Sequence, residues 1–197
     1  TTTLRTIMGL WQASQGRISF NGQDITKKHT PQIAHLGIAY VPENMGIFAD
    51  LTVKENMVLA ARQAKTAAHI DEARLQWIFK LFPAVEKFWN HPAGKLSGGQ
   101  KQMLAVSRAI VEPRDLLIVD EPSKGLAPAI INNMIDAFDQ LKKSGVTILL
   151  VEQNINFAKR LGDTVAVMDN GQVVHAGSMA ALAQDEELQR SLLGLAL

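Results

Sequence analysis

The sequence predicts an α/β fold: a mostly parallel sheet flanked by helices, with an inserted helical subdomain and small antiparallel β elements. Three observations carry that prediction. Short apolar runs, "LGIAYV", "DLLIVD" and "GVTILLV", alternate with amphipathic segments, as buried parallel strands alternate with the helices that cover them. Between Leu51 and Lys95 the strand-like runs vanish and helical spacing takes over. Two Asn-Gly pairs, at 21–22 and 170–171, each lie between short β-like runs and mark hairpins.

Taken in order, "TTTLRTIMGL" reads as a helix burying Leu4, Ile7, Met8 and Leu10 at three- and four-residue spacing. "GRISFNGQDIT" is a strand, a turn and a second strand, and "LGIAYVPE" is a buried strand ending at Pro42 and Glu43. "LTVKENMVLAARQ" and "DEARLQWIFKLFPAVEKFW" are helical, the second broken at Pro83. Trp77, Phe79, Phe82, Phe88 and Trp89 read as the core of this inserted segment, an exposed subset serving alternatively as a docking face. A glycine turn leads into a helix over 100–111, and "DLLIVDEP" is an apolar strand closing on two acids. The 128–143 helix buries Ile131, Met134, Ile135, Phe138 and Leu141. "GVTILLVEQN" is another buried strand, followed by a helix over 154–161, the second hairpin, and a helix capped by Ser178 and running to Leu193. The expected organisation is one domain over 1–197 with the 51–95 segment inserted; no repeat or linker interrupts it.

Composition narrows the functional classes. A length of 197 residues with 47% hydrophobic and 20% charged residues suits one domain with a sizeable core. A net charge of +1 supplies no field for nucleic acid or acidic lipid, and the densest basic run, Lys27–His29, reads as a solvated turn. With no cysteine there is no disulfide and no thiolate metal site, and the five histidines lack ligand spacing. The longest apolar runs are too short to span a bilayer.

Two motifs carry chemistry. In "LSGGQ" (96–100), two glycines at a helix start expose backbone N–H groups, and the serine hydroxyl adds a donor; the stretch reads as a phosphate-binding device or as a plain glycine turn. Twenty residues on, "LLIVDEP" puts Asp120 and Glu121 at the carboxyl end of a buried strand, where open α/β sheets bind ligands. Asp120 has the form of an acid that holds Mg²⁺, and Glu121 is placed to polarise a water for attack on a γ-phosphate; taken alone, the pair also reads as solvent-facing strand-end acids.

In this order and spacing the two motifs resemble the ATP-binding cassette (ABC) family, from Thr1 to Leu197. The resemblance implies a P-loop NTPase-like fold and an ATPase that uses ATP and Mg²⁺. Ser97, Gly98, Gly99 and Gln100 become its signature loop, Asp120 a metal acid and Glu121 the base. Glu43 falls where the family's Q-loop glutamine stands, near Mg²⁺, and Gln153 where a histidine usually meets the γ-phosphate. A neutral amide cannot shuttle a proton, so Glu121 remains the base. Glu43 also reads as a loop acid and Gln153 as a strand-end residue.

"VPE…LTVKEN", "DEPSKGLAP" and "LLVEQN", with the C-terminal "LLGLAL", resemble the second of the paired ATP-binding subunits of branched-chain amino acid importers. That implies transmembrane permease subunits, a second ABC ATPase in a head-to-tail dimer and, indirectly, a periplasmic substrate-binding protein. No nucleic acid partner is implied, and the location is the cytoplasmic face of the inner membrane. Importers of urea or short amides, soluble ABC ATPases of ribosome or DNA, and a non-enzymatic interaction module are the alternative readings.

The family's first phosphate motif, G-x-x-x-x-G-K-[ST], is not in the sequence, but members run from its lysine into threonines and an apolar helix. Thr1 thereby matches the Mg²⁺-ligating hydroxyl and Thr2 its neighbour near the α-phosphate. Missing loop contacts are worth on the order of 5 kcal/mol together, so the expectation is that this segment alone binds ATP only beyond the millimolar range.

Overall fold

The computed structural model describes residues 1–61 and 64–193. The chain divides into two compact units, Thr1–Glu152 and Gln153–Leu197.

In the first unit, α1 (Thr2–Ile7) buries Leu4 and Met8 but not Leu10, which is 51% exposed. The helix ends at Ile7, and Gly9, at φ +66°, turns the chain; a Cβ there would sit 2.5 Å from the Lys28 carbonyl oxygen. Strands β1 (Ser19–Phe20) and β2 (Gln23–Asp24) pair antiparallel around Asn21 and Gly22, both at positive φ, as a type I′ turn requires. Helix α2 (Thr30–His35) leads into β3 (Ile38–Val41).

The 51–95 segment holds α3 (Val53–Ala60), α4 (Glu72–Leu81) and α5 (Pro83–Lys87), with 3₁₀ turns at Ala67–His69 and Ala93–Lys95. Thr52 and Glu55 form a capping box that starts α3, and Pro83 starts α5 where it breaks the preceding helix. The ends of the segment are pinned together: Val53 N–H donates to the His91 carbonyl at 3.0 Å, and Ala93 N–H to that of Leu51 at 2.8 Å. Of its aromatics Phe79 and Phe82 are buried; Trp89 is half-buried and meets Phe79 edge-on.

Helix α6 (Gly98–Ala109) starts two residues before the expected position. Then come β4 (Leu116–Asp120), α7 (Pro128–Lys143) and β5 (Thr147–Val151). The strands form a parallel sheet in the order β3-β4-β5. Leu4, Met8, Ile25, Ile33, Ile38 and Ile118 make one hydrophobic cluster that joins α1 and α2 to the sheet. Strand β5 is not buried as its sequence predicts: Thr147 and Leu149 are exposed. Among the described residues β4 is its one sheet neighbour.

In the second unit, Asn154 caps α8 (Ile155–Leu161). Strands β6 (Thr164–Asp169) and β7 (Gln172–Ser178) form the hairpin around Asn170 and Gly171. Ser178 accepts from Ala181 N–H and caps α9 (Met179–Gln184). The single helix expected to Leu193 is instead split, because the Asp185 carboxylate accepts from Leu188 N–H at 2.8 Å and starts α10 (Glu186–Leu193). Residues 194–197 of "LLGLAL" lie outside the described residues.

Candidate functional site

Asp120 ends β4 and is fully buried. Its Oδ2 accepts a 3.1 Å hydrogen bond from the Tyr40 hydroxyl. Its Oδ1 has no hydrogen-bond partner and lies 3.7 Å from the amino nitrogen of Thr1. An apolar strand thus delivers a carboxylate into the core with one oxygen anchored and the other open toward the start of α1. Thr1 occupies the N-cap position of α1, and Thr2, exposed, is its first helical residue.

Glu121 follows with φ +48°, a conformation uncommon outside glycine, asparagine and aspartate. Its N–H donates to the Val151 carbonyl at 2.9 Å, which ties the bend to β5. Lys124 pairs with Glu121 at 3.4 Å and also with Glu43, beyond the end of β3. Glu43, Thr1, Asp120 and Glu121 therefore gather at the carboxyl ends of β3 and β4.

The 96–100 loop opens α6 through a capping box. The Ser97 hydroxyl accepts from Gln100 N–H at 3.4 Å, and the Gln100 side-chain oxygen accepts from Ser97 N–H at 2.9 Å. This capping box engages Ser97 as an acceptor and turns Gln100 inward. Ser97 and Gly98 are exposed, and the N–H groups of Gly98 and Gly99, in the first turn of α6, have no intrahelical acceptor. Gly99 is buried against α7: a Cβ there would stand 2.7 Å from Ile130 Cγ2, whereas one on Gly98 would meet nothing within 4 Å. Gln153 opens the second unit and is exposed.

Residues 1–124 match the family model described as ABC transporter. The chain is 36% identical over 193 residues to the high-affinity branched-chain amino acid transport ATP-binding protein BraG of Pseudomonas aeruginosa, covering 98% of this chain and 82% of that protein. It is 34% identical over 195 residues to the probable branched-chain amino acid transport ATP-binding protein LivF of Archaeoglobus fulgidus, with the same coverage of each. The chain belongs to the ABC transporter family. The fold agrees: a nucleotide-free ATP-binding cassette from an ABC transporter superposes with a TM-score of 0.78 at 24% identity, covering all of this chain and 83% of that one. The chain is thus an ABC ATPase domain. Among the described residues no helix is long and apolar enough to cross a membrane.

Three residues around the centre of this ABC domain escape a reading of its sequence. Tyr40 is one: its register opposite Ile118 puts it two residues short of Asp120 on the same face of the sheet. A lone polar tip inside "IAYV" was the available signal. Burial first, and then the Asp120 charge, hold the Tyr40 phenol above its usual pKa. Glu152 is the second; its Oε1 accepts from Ser123 N–H at 2.8 Å and fixes the turn after Glu121. Arg108, near the end of α6, donates to the Gly46 carbonyl and lies over the Phe48 ring at 5.1 Å, which binds the loop after Glu43 to the helix that Ser97 starts. Burial lowers its pKa from the usual arginine value.

Proposed function

We propose that this ABC ATPase powers an importer of branched-chain, hydrophobic amino acids as a peripheral subunit at the cytoplasmic face of the cell membrane. The observation that carries the site is Asp120: buried, with one oxygen held by Tyr40 and the other unbonded beside Thr1. Oδ1 makes no hydrogen bond and is ion-paired only with the Thr1 amino group at 3.7 Å, which leaves it a lone pair for a cation, and oxygen ligands suit Mg²⁺. The donors present therefore fit that ion, with Asp120, Thr1 and Glu43 as the residues that would hold it. When bound, Mg²⁺ supplies charge neutralisation on the phosphate oxygens of ATP.

The chain's own residues do the rest. Thr2 lies beside the phosphates next to Thr1. Glu121 accepts a proton from the attacking water, its carboxylate held by Lys124 and by a backbone bend tied to β5. Gln153 donates to the γ-phosphate or orients the water, and cannot act as the base. Ser97, Gly98, Gly99 and Gln100 close on ATP held by a second ABC ATPase in a head-to-tail dimer, with the open Gly98 side as the approach. The dimer drives permease subunits, which a periplasmic substrate-binding protein supplies. Similarity to BraG and LivF, a branched-chain amino acid transport ATP-binding protein and a probable one, supports the amino acid substrate.

Purified with its membrane subunits, the intact gene product should hydrolyse ATP only with Mg²⁺, lose that activity in Asp120→Asn, and take up leucine-like amino acids. Uptake of urea or short amides instead would reassign the substrate. Nucleotide binding indifferent to Mg²⁺ and to Asp120→Asn would overturn the site.

A further inference from the structure

Strands β3 and β4 run parallel in register, Val41 opposite Val119, so the acids just beyond them emerge at one edge. Glu43 lies two residues beyond the one strand and Glu121 just beyond the next, whose last residue is the buried Asp120. Like charges so placed repel one another. Lys124 answers two of them: its ammonium pairs with Glu43 and, at 3.4 Å, with Glu121. The turn that carries it is fixed by its backbone. Lys124 N–H donates to the Glu121 carbonyl at 3.2 Å, Ser123 N–H to Glu152, and Leu126 N–H to the Ser123 carbonyl at 3.2 Å. The side chain is thereby directed back over Glu121 and across to a residue 81 positions earlier in the chain.

We propose that Lys124 is a positioning residue that holds Oε1 of Glu43 until Glu43 exchanges the ammonium for the metal. This rests on the reading of Glu43 as a metal ligand. An ordinary exposed ion pair would have one partner and no consequence. This one joins three residues from two strand ends. Its Glu121 side is mostly buried, with the side chain 14% exposed. The ammonium holds Oε1 of Glu43, so a metal that takes that oxygen displaces Lys124 from it, and the two compete. Lys124 therefore sets how much Mg²⁺ the site needs, while remaining next to Glu121 in both states.

The test is calorimetric binding of a non-hydrolysable ATP analogue to the intact gene product at stepped Mg²⁺ concentrations. Lys124→Met should lower the half-saturating Mg²⁺ concentration by about two- to fivefold, the range expected for loss of a partly exposed pair. Lys124→Arg, which keeps the charge, should retain the original curve. In a Glu43→Gln background, Lys124→Met should have no further effect. A curve unchanged by Lys124→Met overturns the proposal. So does an equal shift in the Glu43→Gln background, since that marks a general field effect rather than a contest for Glu43. An unsubstituted chain whose nucleotide binding ignores Mg²⁺ overturns the functional reading and this proposal with it.

Discussion

The hydroxyl of Tyr40 donates to Oδ2 of Asp120 across 3.1 Å, from inside one strand to the end of its neighbour. The bond sets the rotation of the carboxylate and so decides which oxygen faces Thr1. Burial, reinforced by the Asp120 charge, favours the neutral phenol. Tyr40 is the chain's one tyrosine, so its ionisation can be followed directly by phenolate absorbance. The midpoint should lie above the ordinary value of about 10. Asp120→Asn should bring it down. Because the folded-state pKa is raised, the contribution to stability is full below the unfolded value and is lost as pH rises through the folded one. Tyr40→Phe should erase that alkaline loss, and a midpoint at or below the ordinary value would refute the account.

Glu121 combines a left-handed backbone, an N–H committed to Val151 and a side chain paired to Lys124. These features hold a carboxylate in place without burying it completely. Glu121→Gln preserves size and loses only the capacity to take a proton. Turnover should fall by about 10²–10⁴, the usual worth of a general base, while nucleotide affinity is kept. Steady-state hydrolysis beside equilibrium binding checks both halves. Full turnover in the variant would place the base elsewhere.

Elements with local causes were legible in the sequence. Asn21-Gly22 and Asn170-Gly171 demand positive φ and form their hairpins, and Pro83 breaks its helix where expected. Apolar "LLIVD" ending in acids gave β4 and Asp120. What was not legible depends on partners distant in the chain. The apolar run of β5 reads as buried, whereas Thr147 and Leu149 are exposed, because cover comes from elements that hydropathy does not encode. Leu10 fits the helical period, yet Gly9 ends the turn before that period applies. Tyr40 meets Asp120 through strand register, and Lys124 meets Glu43 through two loops; neither spacing is written in a motif.

The two glycines of the 96–100 loop should separate on substitution. Gly99→Ala forces a Cβ to 2.7 Å from Ile130, and relieving that overlap should cost about 1–3 kcal/mol of stability. Gly98→Ala points into open space and should leave the melting temperature nearly unchanged, while it crowds the side proposed to receive a partner's nucleotide. Thermal denaturation and dimer-dependent hydrolysis of both variants decide it. Equal loss of stability would show that the packing distinction is wrong.

The loop that carries Glu43 is anchored from beneath by Asn56, a fully buried residue of α3. Its Oδ1 accepts from Phe48 N–H at 2.9 Å, while Nδ2 donates to the carbonyls of Phe48 at 2.9 Å, Thr52 at 3.0 Å and Leu51 at 3.4 Å. That division of partners fixes the orientation of the amide, since an N–H can meet only the oxygen and carbonyls only the NH₂. Asn56→Ala leaves these backbone groups unpaired and should cost about 1–3 kcal/mol, with faster hydrogen exchange at the Phe48 amide. Asn56→Asp is the sharper substitution. It keeps the shape and the acceptor for Phe48 N–H but turns a buried negative oxygen toward three carbonyls, so it should destabilise at least as much as alanine. Urea denaturation of the two variants tests the order. A stable aspartate variant would mean that Arg108, from the other side of the loop, holds it without the amide.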